Sequence, residues 1–134
     1  MNLFTYGTLM FPEIWRRVVG REFVTLPAEL VGYAVYRVRS DVYPVMVSAD
    51  PDSRVRGVIY LDVDDATTAL LDEYESDLYD RVPVAATDDD GRLIECQTYV
   101  LPPSRRSFAS NVPWDILWFE REALDQYVAR LVGQ

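Results

Sequence analysis

The pattern of this 134-residue chain predicts an α+β domain, a small mixed β-barrel or curled sheet of six to seven strands with flanking helices. Three observations lead there. Short Val- and Tyr-rich stretches with polar alternation recur along the chain, as half-buried strands require. Helical periodicity is confined to three stretches. The two kinds of element come in mixed order, without the regular strand-helix alternation of a parallel sheet, and barrel closure does not follow from the pattern.

The elements read in order as follows. Asn2 to Tyr6 is a first strand, broken by Gly7-Thr8. Pro12 opens a short helix to Val19, because its fixed φ and missing N–H suit the first helical position, and Gly20 stops it. Glu22 to Val31, Tyr33 to Arg39 and Tyr43 to Ser48 are strands, separated at Gly32 and at Ser40-Asp41. Pro51-Asp52-Ser53 is a turn, and Arg54 to Val63 is a strand. Asp64 or Asp65 caps a helix to Glu75, with acidic groups near the positive end of its dipole. Arg81 to Thr87 and Arg92 to Leu101 form a hairpin about Asp90-Gly91. Pro102 to Val112 reads as a loop. A last helix, Glu120 to Leu131, places Ala123, Leu124, Tyr127, Val128 and Leu131 on one face. No repeat or linker divides the chain, so one domain over residues 1–134 is expected.

Composition removes whole mechanisms. Hydrophobic content is 49% and charged content 26%, which argues against a largely disordered chain. The net charge is −9, opposite to the basic groove a nucleic-acid binder needs. No apolar run nears the roughly 20 residues of a membrane helix. The N-terminal residues lack a basic lead-in and an apolar core, so a cytoplasmic address is expected. There is no His and no Lys, and all 13 basic residues are Arg. A His base, a Ser-His or Cys-His pair, a Lys Schiff base and a P-loop Lys are thereby excluded within one chain. The lone Cys96 rules out an internal disulfide, and a Cys/His zinc site lacks ligands. Side-chain proton transfer then falls to Asp, Glu, Tyr or Cys96.

Three constellations are candidates for chemistry. Tyr6-Gly7-Thr8-Leu9 follows the first strand; its backbone N–H groups can cradle a carboxylate, or it is a plain strand-to-helix turn. Leu71-Asp72-Glu73-Tyr74-Glu75 ends the middle helix. Leu70, Leu71 and Tyr74 make its apolar face, with Glu75 at the border. Desolvation there, and the negative end of the helix dipole, raise a carboxyl pKa toward that of a useful base; otherwise Glu75 is a surface acid at a helix end. In Tyr79-Asp80-Arg81, Arg81 either holds an anionic substrate or forms a strand-edge ion pair. Asp88-Asp89-Asp90 reads as an acidic turn and Cys96 as a buried strand residue. Arg105-Arg106 reads as a solvated loop rather than an anion site. Trp114 and Trp118 either pack on the sheet or lid a pocket.

Several segments resemble the gamma-glutamylcyclotransferase-like family, which includes the plant avirulence-induced proteins and the gamma-glutamylamine cyclotransferases. They are Leu3-Phe4-Thr5-Tyr6-Gly7-Thr8-Leu9, Ala28-Glu29-Leu30-Val31-Gly32-Tyr33 with Tyr43-Pro44, Val55-Arg56-Gly57-Val58-Ile59-Tyr60, Leu71 to Glu75 with Tyr79 to Val84, and Cys96 to Val100. They occur in the family's order, and the tail beyond Pro102 matches loosely. The resemblance implies a small barrel and backbone amides of Tyr6 to Leu9 on the alpha-carboxylate of a gamma-glutamyl group. It also implies Glu75 as the acid/base, with Tyr79 and Arg81 in the segment around it. The implied reaction is cyclisation of a gamma-glutamyl amide to 5-oxoproline and a free amine, without metal or cofactor. The family often has Gly after its catalytic Glu, and here Ser76 stands there. A related acyltransferase, an enzyme removing a gamma-glutamyl group, and a non-enzymatic binding module are the alternatives.

Overall fold

The computed structural model describes residues 1–132. The strands are β1 (Leu3–Thr5), β2 (Thr25–Val31), β3 (Tyr33–Val38), β4 (Pro44–Ser48), β5 (Arg54–Tyr60), β6 (Asp80–Asp88), β7 (Leu93–Val100) and β8 (Ala109–Pro113). The helices are α1 (Pro12–Val18), α2 (Asp65–Glu75), α3 (Ile116–Glu122) and α4 (Leu124–Val132). Five strands close into a barrel in the order β1-β5-β2-β6-β7, and β4-β3-β8 make a second antiparallel sheet. Closure depends on β1 and β7, the one parallel pair in the barrel, matched at Leu3 and Gln97. Thr98 donates its hydroxyl to the Phe4 carbonyl at 2.9 Å across the same seam.

A five-stranded barrel is narrow, so its interior needs small residues beside large ones. Phe4 and Ile59 fill it, against Ala28, Ala86 and Cys96. Gly57 is required where β5 crosses β1, because a Cβ there would stand 2.2 Å from the Thr5 carbonyl oxygen and 2.7 Å from the Phe4 ring. A second core lies under the helices, where Ile14, Trp15, Leu71 and Phe119 pack together with other buried residues.

Asp64 is the cap of α2; its carboxylate accepts the Thr67 N–H at 2.7 Å, and Leu71 is buried completely on the helix's inner face. The β6–β7 hairpin turns through Gly91 at φ +80°. The Asp88 carboxylate accepts the N–H groups of Asp90 and Arg92, each at 2.9 Å, so the acidic triplet is a turn. Among the described residues no three Cys, Asp or Glu side chains gather as a metal cluster. No described helix is long and apolar enough to cross a membrane.

Two features differ from the sequence reading. The stretch read as a loop contains a 3-10 turn, Pro103–Phe108, and then β8, which pairs with β3. Only Ala109 of β8 is buried, so the strand carries little alternation to read. The final helix is two helices broken at Ala123, which leaves the helical region at φ −131°. Ala is the best helix former, so the break follows from packing: Phe119 and Ala123 are both buried in the core beneath the helices.

Candidate active site

Six chain segments converge at one end of the barrel around a cavity of about 200 Å³. They are the exit of β1 with its following turn, the start of β4, the end of α2, the approach to β6, the end of β7, and α4.

The first wall is Tyr6 to Leu9. Thr8–Met10 forms a 3-10 turn in which the Met10 N–H donates to the Gly7 carbonyl at 3.0 Å. No side chain caps the turn's leading amides. Tyr60, stacked on Trp15 with centroids 3.6 Å apart, donates its hydroxyl to the Leu9 carbonyl at 2.8 Å and fixes the turn's far side. Gly7 has a steric reason: a Cβ on it would lie 2.4 Å from Cγ of Pro44. The turn and the start of β4 approach that closely because nothing stands between them.

Glu75 stands on another wall. It is the last residue of α2, held in place because Leu71, one turn earlier, is locked in the core. Its carboxyl stands among protein atoms, and burial pushes its pKa from 4.5 up to about 8. The residue keeps part of its surface accessible at the cavity, so the group is enclosed yet reachable. Among the described residues it has no ion pair and no hydrogen bond, so nothing offsets the loss of water. It is the only carboxyl among the residues lining the cavity. Ser76 follows at φ 62°, ψ −167°, a region that favours glycine and costs other residues roughly 1–3 kcal/mol. This is the position where the resembled family often has Gly. The chain turns sharply there and leaves Glu75 at the helix's open end.

The rest of the lining is dominated by tyrosines, which the sequence reading did not assemble. Tyr6 donates to the Tyr99 carbonyl at 2.7 Å, and Tyr79 donates to the Pro44 carbonyl at 2.6 Å. Thr8 Oγ1 lies 2.8 Å from the Tyr74 hydroxyl, which lies 2.5 Å from that of Tyr127. Burial first, and the Glu75 charge after it, push Tyr6 well above the ordinary tyrosine range. Burial and then the neighbouring Tyr6 and Glu75 charges do the same to Tyr79. Burial also raises Tyr74, reinforced by Tyr127 and Glu75. These phenols stay protonated, so they act as hydrogen-bonding groups and not as bases.

Of the residues the sequence nominated, Glu75, Tyr6, Gly7, Thr8, Leu9 and Tyr79 all line this one cavity. Arg81 does not. Its guanidinium forks onto Asp72 at 3.0 and 3.3 Å and also meets Gln97 Oε1, so it is a strand-edge ion pair. Trp114 packs on Phe119 and donates to the Val42 carbonyl at 2.9 Å, while Trp118 lies under the Arg37 guanidinium at 3.7 Å; neither lids the cavity. Arg105 donates to the Leu78 carbonyl at 3.2 Å, and Arg106 lies over the Tyr36 ring. Tyr43, Tyr74, Tyr99 and Tyr127 were missed as site residues. The signal available was the choice of Tyr over Leu or Phe on the apolar faces of α2 and α4, which implies a hydroxyl with a partner.

A closed five-stranded barrel that buries an unpaired carboxyl in the same cavity as a Gly-Thr turn defines a small α+β protein with a carboxyl-lined cavity. Comparison with known proteins places it further. Residues 3–115 match the family described as Gamma-glutamyl cyclotransferase, AIG2-like, and the chain belongs to that family. Among curated relatives it is 33% identical over 100 residues to Protein AIG2 C of Arabidopsis thaliana, a match covering 74% of this chain and 60% of that protein. It is 31% identical to AIG2-like protein D of the same plant, covering 74% of this chain and 66% of the other. The chain thus spans about three-fifths to two-thirds of these relatives' length. A solution structure from Arabidopsis thaliana superposes with a TM-score of 0.73 at 27% identity, covering 98% of this chain and 79% of the other. A gamma-glutamyl cyclotransferase shares the fold with a TM-score of 0.66 at 17% identity, covering 99% and 86%.

Proposed function

We propose that the chain is a gamma-glutamyl cyclotransferase-type enzyme that closes a gamma-glutamyl amide to 5-oxoproline and releases a free amine. The observation that carries this is Glu75, an unpartnered carboxyl with a pKa of about 8, facing an amide-bearing turn across one small cavity. Family membership supports the same reading.

The cavity is smaller than the roughly 300–1,000 Å³ of sites for drug-sized ligands. It admits the glutamyl moiety, and the amine portion points out. The leading amides of the Gly7–Leu9 turn hold the alpha-carboxylate. The hydroxyl proton of Tyr79 is committed to a backbone carbonyl, so its oxygen is left as an acceptor and suits the alpha-amine.

The substrate supplies the nucleophile. The alpha-amine nitrogen attacks the gamma-carbonyl carbon; a C–N bond forms and the carbonyl π pair moves to oxygen. Ionised Glu75 takes one proton from the attacking nitrogen. The oxygen pair then returns, the bond to the leaving nitrogen breaks, and Glu75 gives that nitrogen its proton. No water is consumed and Glu75 ends as it began. A pKa near the working pH lets one carboxyl take a proton and return it, which contributes about 10²–10⁴-fold. Folding the substrate into the attacking conformer supplies the proximity effect.

The test is 5-oxoproline release from a panel of gamma-glutamyl amino acids and gamma-glutamyl amines. The account expects release by the wild type, and a fall of about 10²-fold or more in Glu75→Gln. Equal release by both proteins, or release from no donor, contradicts it.

A further inference from the structure

Tyr127 alone among the cavity-lining residues lies beyond residue 115, where the family match ends. It comes from α4, which the fold holds firmly. Arg130 grips both oxygens of Asp41 at 3.0 and 3.1 Å, tying α4 to the connection between β3 and β4. The Tyr127 ring meets Phe119 edge-on with centroids 5.6 Å apart, so its hydroxyl is aimed by packing. Tyr127, Tyr74 and Tyr43 also line a larger groove of about 510 Å³ outside the cavity, so Tyr127 borders both spaces.

Thr8, Tyr74 and Tyr127 form a chain of three hydroxyls joined by two hydrogen bonds. Each hydroxyl has one proton. Either oxygen of each pair can donate; with Tyr127 donating to Tyr74 and Tyr74 to Thr8, two protons make the internal bonds and the third, on Thr8, is left to donate outside the chain. Tyr6 and Tyr79, which line the same cavity, have no such spare proton, since each donates to a carbonyl.

We propose that Tyr127 is a positioning residue for the cyclisation: donating to Tyr74, and through it setting Thr8, it turns the Thr8 hydroxyl proton toward the gamma-carbonyl oxygen. The proposal rests on the cyclotransferase reading. When the amine attacks, the pair driven onto that oxygen meets a donor already oriented, which is where preorganised hydrogen bonds act most strongly. The chain donates without giving up a proton, so the exchange through Glu75 stays balanced. The C-terminal helix thereby completes a site whose other walls lie within the family match.

The experiment compares kcat and KM of wild type, Tyr127→Phe, Tyr74→Phe and the double variant on one gamma-glutamyl donor that the wild type turns over. Phe keeps the ring contact with Phe119, and melting curves check that the fold is retained. Tyr127→Phe is expected to lower kcat about tenfold, less than full loss of an oxyanion donor, with KM nearly unchanged. The double variant is expected to be no slower than Tyr74→Phe alone, because the two hydroxyls act as one unit. Wild-type kcat in Tyr127→Phe, or losses that multiply in the double variant, overturns the proposal while leaving the cyclotransferase reading intact. A wild type that releases no 5-oxoproline overturns both.

Discussion

Asp72 and Glu75 stand less than one turn apart on α2 and have opposite surroundings. Asp72 lies on the outside of the barrel, where it receives the Arg81 guanidinium and the Tyr99 hydroxyl, the latter at 2.7 Å. Glu75, three residues on and so about 60° short of a full turn, lies at the cavity and receives nothing. Asp72 therefore ties the helix to β6 and β7. Glu75 is left with a charge the site does not stabilise, which raises its pKa. In this protein the number of partners, and not the residue type, separates an anchoring acid from one whose pKa is raised.

Each side of that contrast can be attacked separately. The largest effect is expected on the cavity side without touching Glu75. Gly7→Ala drives a methyl into Pro44, whose carbonyl holds the Tyr79 hydroxyl. It should abolish most 5-oxoproline release and cost about 1–3 kcal/mol of stability, read from activity and urea unfolding. On the anchored side, Asp72→Ala should cost about 1–2 kcal/mol, from a half-exposed ion pair and a lost acceptor for Tyr99. It should leave kcat nearly unchanged; a collapse of kcat would mean that Asp72 shares the chemistry and the contrast is wrong. Smallest is Ser76→Gly. Relief of the positive φ, set against the entropy of a glycine, should stabilise the protein by no more than about 1 kcal/mol in the same unfolding assay.

Much of this was readable before the structure. The Asp64 cap, the hairpin at Asp90-Gly91 and the helix ending at Glu75 follow from local rules about caps, turns and periodicity. The Tyr6–Leu9 turn and Glu75 were nominated from local signals and the family resemblance together. The rest depends on distant segments. Nothing local says that Tyr127, near the end of the chain, reaches Tyr74, or that Tyr43 reaches the same cavity. β8 escaped because its side chains face mostly outward and its pairing with β3 is tertiary. Arg81 had two readings, and only the position of Asp72 on the neighbouring helix chose the ion pair. Sequence rules reach as far as the next turn; the contrast between Asp72 and Glu75 depends on what lies across the fold.

The most direct test is a titration of Glu75 itself. Carbon-13 NMR of the side-chain carboxyl, assigned by its disappearance in Glu75→Gln, follows ionisation without any substrate. The account predicts a midpoint near pH 8, because burial without a partner favours the protonated acid. The folded protein then holds a proton that the unfolded chain has lost, so this residue's contribution to stability falls as pH rises from about 4.5 to about 8. A midpoint at the ordinary 4.5 would contradict the central claim, because a carboxylate of ordinary pKa is too weak a base to draw the proton from the attacking amine.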